Sequence, residues 1–347
     1  MGGNPLIGVL YHWLGGLSSA SFYVPYRGIR RWNWEIFWIT GGVFSWVIVP
    51  WLVAGIMTPD LGAVMAAVPG RIVGLCVLFG MMWGLGGLTY GLTMRYLGLS
   101  LGMAVVLGLC TVFGTLIPPL VEGDFAAKLL DTLSGRIVLL GLGLTVAGIV
   151  VVALAGAAKD AAQSPAEKTA TVAEFNFRLG LAVAVFSGVM SACFAFGLAA
   201  GEPVKAIAAA HGSGALWTGL PVLCLVMGGG LITNAIWCGI LIVRNRSAGQ
   251  WLDGGAPLVA NYALAALGGT LWYFQFFFYT MGESQMGRFG FSSWVLHMAS
   301  IIIFGTIWGF ALKEWRGAPA RTRATVWGGI GILLVATVVI GWGNSLA

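Results

Sequence analysis

The chain has 347 residues, of which 59% are hydrophobic and 9% charged, with a mean hydropathy of +0.91. A water-soluble domain carries about a quarter of its residues as charges, so this chain cannot cover a water-facing surface and lipid must be the solvent for most of it. The formal charge of +6 is scattered singly or in short clusters between apolar runs, which excludes a nucleic-acid tract and leaves topological charge as its reading.

Apolar runs of membrane-crossing length follow one another at about 5–24, 34–56, 72–94, 99–119 and 136–156, and again at 179–200, 216–243, 257–281, 291–311 and 325–344. The first run has no basic flank of a secretory signal and leads straight to Arg27, Arg30 and Arg31, so it reads as the first span. Between the two sets lies a polar stretch with Lys159, Asp160, Glu167, Lys168 and Glu174, and Gln163-Ser164-Pro165 marks it as loop. The expected fold is an all-α integral membrane protein of ten transmembrane helices. Residues 1–156 make a first five-helix repeat, 157–178 a cytoplasmic linker and 179–347 a second repeat. Cys76, Cys110, Cys193, Cys224 and Cys238 all sit inside apolar runs without a CxxC pair and read as small packing residues.

Lys and Arg set the orientation. Loops after odd-numbered spans carry thirteen of them and the opposite side five, which places the odd loops in the cytoplasm and both termini outside. Arg95, Lys313 and Glu314 close spans 3 and 9 as interfacial anchors. The halves echo each other: Trp83 and Tyr90 in span 3 answer Trp272 and Tyr279 in span 8, 189 residues on. Gly41-Gly42 answers Gly229-Gly230 after 188, and Gly141 answers Gly328 after 187. Five spans is an odd number, so the second half enters the membrane in the opposite sense. That is an inverted repeat, the plan of many secondary transporters, with a site near the midplane.

No HExxH, GxSxG or Walker sequence occurs, so neither catalysis nor a cofactor other than a coupling proton is expected. Polar and aromatic groups inside the spans carry the functional signal, because unpaired polar groups are costly in lipid. Asn261, Trp272, Gln275 and Tyr279 fall within about 60° of one another at ~100° per residue, and Trp83, Gly87 and Tyr90 make a similar face on span 3. Asn234 follows the glycines of span 7. Indoles can lie on the C–H face of a sugar while amides and phenols bond its hydroxyls, so the set suits an uncharged polyol better than an ion. Competing readings are packing for the aromatics and interhelical bonding for the amides. His12, His297 and Glu35 are the proton-coupling candidates, since imidazoles titrate near neutrality and burial can raise a carboxyl pKa. The alternatives are hydroxyl-bonded neutral histidines and, for Glu35, an ion pair with Arg31.

Several strings resemble the L-rhamnose–proton symporter family of the drug/metabolite transporter superfamily. They include Phe22-Tyr23-Val24-Pro25 with Trp32-Asn33-Trp34-Glu35, and Gly41-Gly42-Val43-Phe44-Ser45-Trp46 ending at Pro50-Trp51. Tyr90 through Gly98, Glu174-Phe175-Asn176, Trp272 through Tyr279, Ser293 through Met298 and Leu312-Lys313-Glu314-Trp315 follow in the same order. The resemblance implies a drug/metabolite-transporter-like, five-plus-five fold in the bacterial inner membrane. It implies proton-coupled uptake of L-rhamnose, with L-lyxose and L-mannose as related sugars. The chain departs from the family pattern at Gly87 and Thr89, where that pattern has asparagines, and at Glu283, where it has a histidine. An exporter of amphipathic metabolites and a sugar sensor without net transport are the rival readings.

Overall fold

A computed structural model describes residues 3–97, 99–161, 177–312, 315 and 317–346. The linker over 162–176, Lys313, Glu314 and the side chain of Arg95 lie outside the described residues. Helix is the only regular structure among those described. Long helices run from Pro5–Ser21 (α1), Trp34–Met57 (α2), Gly70–Leu97 (α3), Leu99–Glu122 (α4) and Leu133–Ala161 (α5). The second set is Phe177–Ala200 (α6), Leu220–Asn245 (α7), Leu258–Gln285 (α8), Ser293–Ala311 (α9) and Ala320–Ser345 (α10). Seven membrane-crossing candidates, long and apolar enough, are found among the described residues, one each in α2, α3, α5, α6, α7, α9 and α10. This is a multi-pass membrane protein.

Local chemistry sets the helix ends. Asn4 caps α1 by accepting from the Leu6 N–H at 3.0 Å, with Pro5 at the first helical position. Pro221 lies in the first turn of α7, where its missing N–H costs no helical hydrogen bond. α2 is continuous but irregular: Phe44–Ile48 forms a π turn in which the Val49 N–H donates to Phe44 O. The cause is Pro50, which has no N–H for the Trp46 carbonyl and whose ring would clash with it in a regular helix.

The two halves interleave rather than sit side by side. α1 packs on α8 and α9, while α6 packs on α3 and α4; α2 crosses α8, α7 crosses α3, and α5 lies along α10. Two crossings are so close that only glycine fits. A Cβ on Gly80 (α3) would stand 3.1 Å from the Gly229 Cα (α7), and a Cβ on Gly269 (α8) 3.1 Å from the Gly41 Cα (α2). Close backbone approach of this kind is how membrane helices gain packing energy where lipid removes the hydrophobic drive. Large apolar side chains such as Leu52, Leu140, Ile236 and Val338 lie exposed on the outer surface, as a lipid-facing wall requires.

Candidate functional site

A cavity of about 460 Å³ lies at the centre of this interleaved bundle, reached by every long helix except α10. It extends along α9 from Trp294 to Gly309, about 22 Å at the helical rise, and Lys159 and Trp315 line it at the far ends of α5 and α9. Trp83, Tyr90, Asn234, Trp272 and Gln275, all expected at a sugar site, line it together. Trp83 meets Phe276 edge-on at 5.5 Å and Trp272 lies against Phe22 at 4.4 Å, so the wall is largely aromatic.

The polar atoms of that wall divide into used and unused. Asn234 is used: its Oδ1 accepts from Trp38 Nε1 at 2.9 Å and its Nδ2 donates to Gly230 O at 2.9 Å. Gln275 Nε2, Trp272 Nε1 and Trp46 Nε1 are buried and make no hydrogen bond to protein. An unmet N–H in a dry site is costly, and all three are donors. Such a wall is complementary to the oxygens of a neutral polyol.

Asn261 and Tyr279 share the helical face of Gln275 but not the chamber. Asn261 is fully buried near the start of α8, where its side chain accepts from the Arg30 N–H at 3.1 Å and donates to Arg30 O at 2.8 Å. Tyr279 lies one turn beyond Gln275, its ring 5.4 Å from both His12 and His297.

His12 and His297 come together from α1 and α9. Their ring centroids are 6.3 Å apart, both residues are fully buried, and none of the four ring nitrogens has a hydrogen-bond partner at normal geometry. Ser300 Oγ lies 2.9 Å from His12 O and 2.7 Å from His297 O and ties the two helices there. Gly15 and Gly282 make the room: a Cβ on Gly282 would strike the His12 ring, and one on Gly15 would stand 3.1 Å from the His297 ring. Phe276 and Trp294, which line the chamber and stack on Phe194 at 4.0 and 6.1 Å, each lie 6.5 Å from the His297 ring, and neither histidine lines the chamber. Beyond the pair, at the same end, Lys205 Nζ meets Glu283 at 2.8 Å and Glu202 at 3.0 Å.

Glu35 lies elsewhere, at the first turn of α2. Its Oε1 accepts from Asn33 Nδ2 at 3.2 Å, Asn245 Nδ2 at 3.0 Å and Ser247 Oγ at 2.8 Å. The Arg31 guanidinium, the partner weighed from sequence, donates instead to Gly255 O at 2.7 Å. Glu35 thus belongs to a latch between the 27–35 and 245–262 segments, which also holds Trp32 Nε1 on Gln250 O at 2.8 Å.

Sequence reasoning missed Ser45, Phe22, Trp38, Trp46 and Trp294 as site residues, although all but Trp38 fall in the strings that carry the family resemblance. The available signal was a set of tryptophans in the middle of apolar runs, away from the interfaces where tryptophan usually collects.

The sequence model described as L-rhamnose-proton symport protein (RhaT) matches residues 1–346. Curated relatives cover nearly the same length. The chain is 37% identical to the L-rhamnose-proton symporter of Mannheimia succiniciproducens over 99% of itself and 100% of the relative. It is 38% identical to that of Cronobacter sakazakii and 36% identical to that of Klebsiella pneumoniae, over 98% of each chain in both cases.

Proposed function

Because the chain belongs to the L-rhamnose-proton symport protein family, we propose that it imports L-rhamnose by proton symport through alternating access across the bacterial inner membrane. The observation that carries this reading is the central chamber whose aromatic wall includes Trp46, Trp272 and Gln275, residues with buried N–H donors that no protein group meets. A pyranose offers the matching surface: oxygens for the donors and C–H faces for the rings. Among the described residues that line the chamber only Lys159 is charged, and it stands near the far end of α5, as suits a neutral substrate. L-Lyxose and L-mannose differ from L-rhamnose only around C6, and a chamber of this size admits both.

A ten-span, five-plus-five inverted repeat is the architecture that suits this function. The paired glycine crossings support it: Gly41 with Gly269 and Gly80 with Gly229 repeat one contact with the helices exchanged, at the spacing seen in the sequence. The excess of Lys and Arg in the odd loops supports an orientation with the Lys159–Trp315 end of the chamber in the cytoplasm and both termini in the periplasm. On that orientation the chamber faces inward, while the Phe194–Phe276 stack and the Lys205–Glu283 pair close the outer side.

For the proton, the geometry favours His12 and His297 over Glu35. Glu35 already has three donors on one carboxylate oxygen, an arrangement that holds it as an anion. The imidazole pair has no such commitment, and ionisable groups buried in a membrane bundle mark proton relays. Phe276 and Trp294, which lie beside His297 and line the chamber, let proton occupancy bias the same rearrangement that releases sugar, which is the requirement for coupling.

Purified protein in proteoliposomes, with an acidic exterior and labelled L-rhamnose, tests the whole reading. Uphill accumulation collapsed by a protonophore is the expected result. Rhamnose binding without flux indicates a sensor, and indifference to every sugar with efflux of an amphipath indicates an exporter; either result ends the proposal.

A further inference from the structure

We infer that Ser45, Trp46 and Trp272 form a second, hydroxyl-sized compartment of the sugar chamber, which reads one specific hydroxyl of the substrate; this rests on the proposed function above. The compartment is a void of about 10 Å³ between Tyr26, Ser45, Trp46 and Trp272, and it shares Phe22, Trp38, Trp46 and Trp272 with the main cavity. That volume is about that of one water-sized group, and so of one sugar hydroxyl.

The local fold builds it. The π turn forced by Pro50 shifts the register of α2 at Ser45 and Trp46, and single π turns inside helices recur at functional sites. Gly42 accepts the Trp46 ring folded back over it, since a Cβ there would collide with that ring. Trp46 stands edge-on to Trp38 at 6.4 Å. The Trp38 indole is bonded to Asn234 Oδ1, but the Trp46 and Trp272 indoles and Ser45 Oγ make no hydrogen bond to protein. Ser45 is 1% and Trp46 3% exposed. Three residues that line one void of hydroxyl size thus each carry a buried polar group without a protein partner.

The chemistry is specific. Two indole N–H groups can only donate, so they need an oxygen, and the Ser45 hydroxyl can accept the proton that this oxygen carries. A hydroxyl satisfies all three; a methyl or a hydrogen atom leaves them unmet. A site built in this way rejects the analogue lacking the group far more strongly than an apolar wall rejects an added methylene.

The test is binding of L-rhamnose and its 2-, 3- and 4-deoxy analogues to detergent-purified protein, in wild type, S45A, W46F and a form with benzothienylalanine at position 46. The last keeps the shape of the ring and loses only the N–H. S45A and the benzothienyl form should each lose about five- to tenfold in L-rhamnose affinity, the scale of one buried hydrogen bond. For one deoxy analogue, already weak on wild type, the same changes should cost nothing. Unchanged rhamnose affinity, or an equal loss for every analogue, overturns the compartment while leaving the transport reading intact. Wild-type protein that binds no L-rhamnose overturns both. W46F reports packing as well: a loss seen with W46F but not with the benzothienyl form counts against the proposal.

Discussion

Glu35 and the His12–His297 pair are both buried ionisable sites, and they differ in one respect that decides what each can do. Around Glu35 every strong donor is aimed at the carboxylate: Asn33, Asn245 and Ser247 all bond Oε1. Around the histidines the commitment is weaker: none of the four ring nitrogens has a hydrogen bond at normal geometry, and glycines on α1 and α8 clear space for the rings. A saturated network stabilises one arrangement of the chain and resists change. An unsaturated one stores a cost that a proton, a water or a rearrangement can relieve. Burial alone therefore does not identify a working group; the state of its partners does.

The contrast is broken most severely at the histidines. His297→Gln and His12→Gln should each reduce uphill L-rhamnose accumulation by tenfold or more in proteoliposomes, while labelled sugar exchange under equal pH persists. Exchange that falls in step with accumulation would show packing loss instead. Glu35→Gln keeps an oxygen where the three donors point, so accumulation should survive it. If Glu35→Gln uncouples transport and the histidine variants do not, the comparison is inverted.

A smaller effect is expected at Gln275. Gln275→Ala removes one of the free donors of the chamber and should weaken L-rhamnose binding by about five- to thirtyfold, within the range for a buried hydrogen bond. Asn261→Ala sits on the same helix and face but should leave binding unchanged. Its two bonds to Arg30 hold a connection between helices, so its loss should appear as a stability decrease of about 1–3 kcal/mol in thermal unfolding. Measuring affinity and melting on both variants separates the two amides.

That pair also explains what could be read beforehand. Helix positions followed directly from apolar runs, because lipid solvation leaves no other place for them; the described helices start and end within a few residues of those runs. Trp272 and Gln275 were legible because a rotation of about 100° per residue gives the face. The face gives no depth. Asn261 precedes Gln275 by fourteen residues, about 21 Å along the axis, and so lies at the end of the bundle. Tyr279 is one turn past Gln275, enough to take it out of the chamber wall. Ser45 and Trp46 escaped for a different reason: a π turn adds a residue to the turn, so a regular period assigns them the wrong neighbours. The latch around Glu35 depends on contacts between segments more than two hundred residues apart, which no local pattern encodes.

The smallest effect should be at Lys205 and Glu283. Their side chains are 16% and 21% exposed, so the pair is neither a screened surface contact nor a fully dry one, and a coupling energy of about 1 kcal/mol is expected. Lys205 belongs to the short helix Glu202–Ala210, and Glu283 ends α8 one turn beyond Tyr279. On the proposed orientation the pair helps to hold the outer side shut, and its loss moves the conformational balance toward outward opening by that same coupling. Lys205→Met and Glu283→Gln should each change the sugar exchange rate by two- to fivefold, and the double variant by no more than either alone. The reversed pair, K205E with E283K, should recover part of the wild-type rate, because Glu202, 3.0 Å from Lys205, then faces a like charge. Full additivity of the two single changes would mean that the contact does not gate, and that the outer closure depends on the Phe194–Phe276 stack alone.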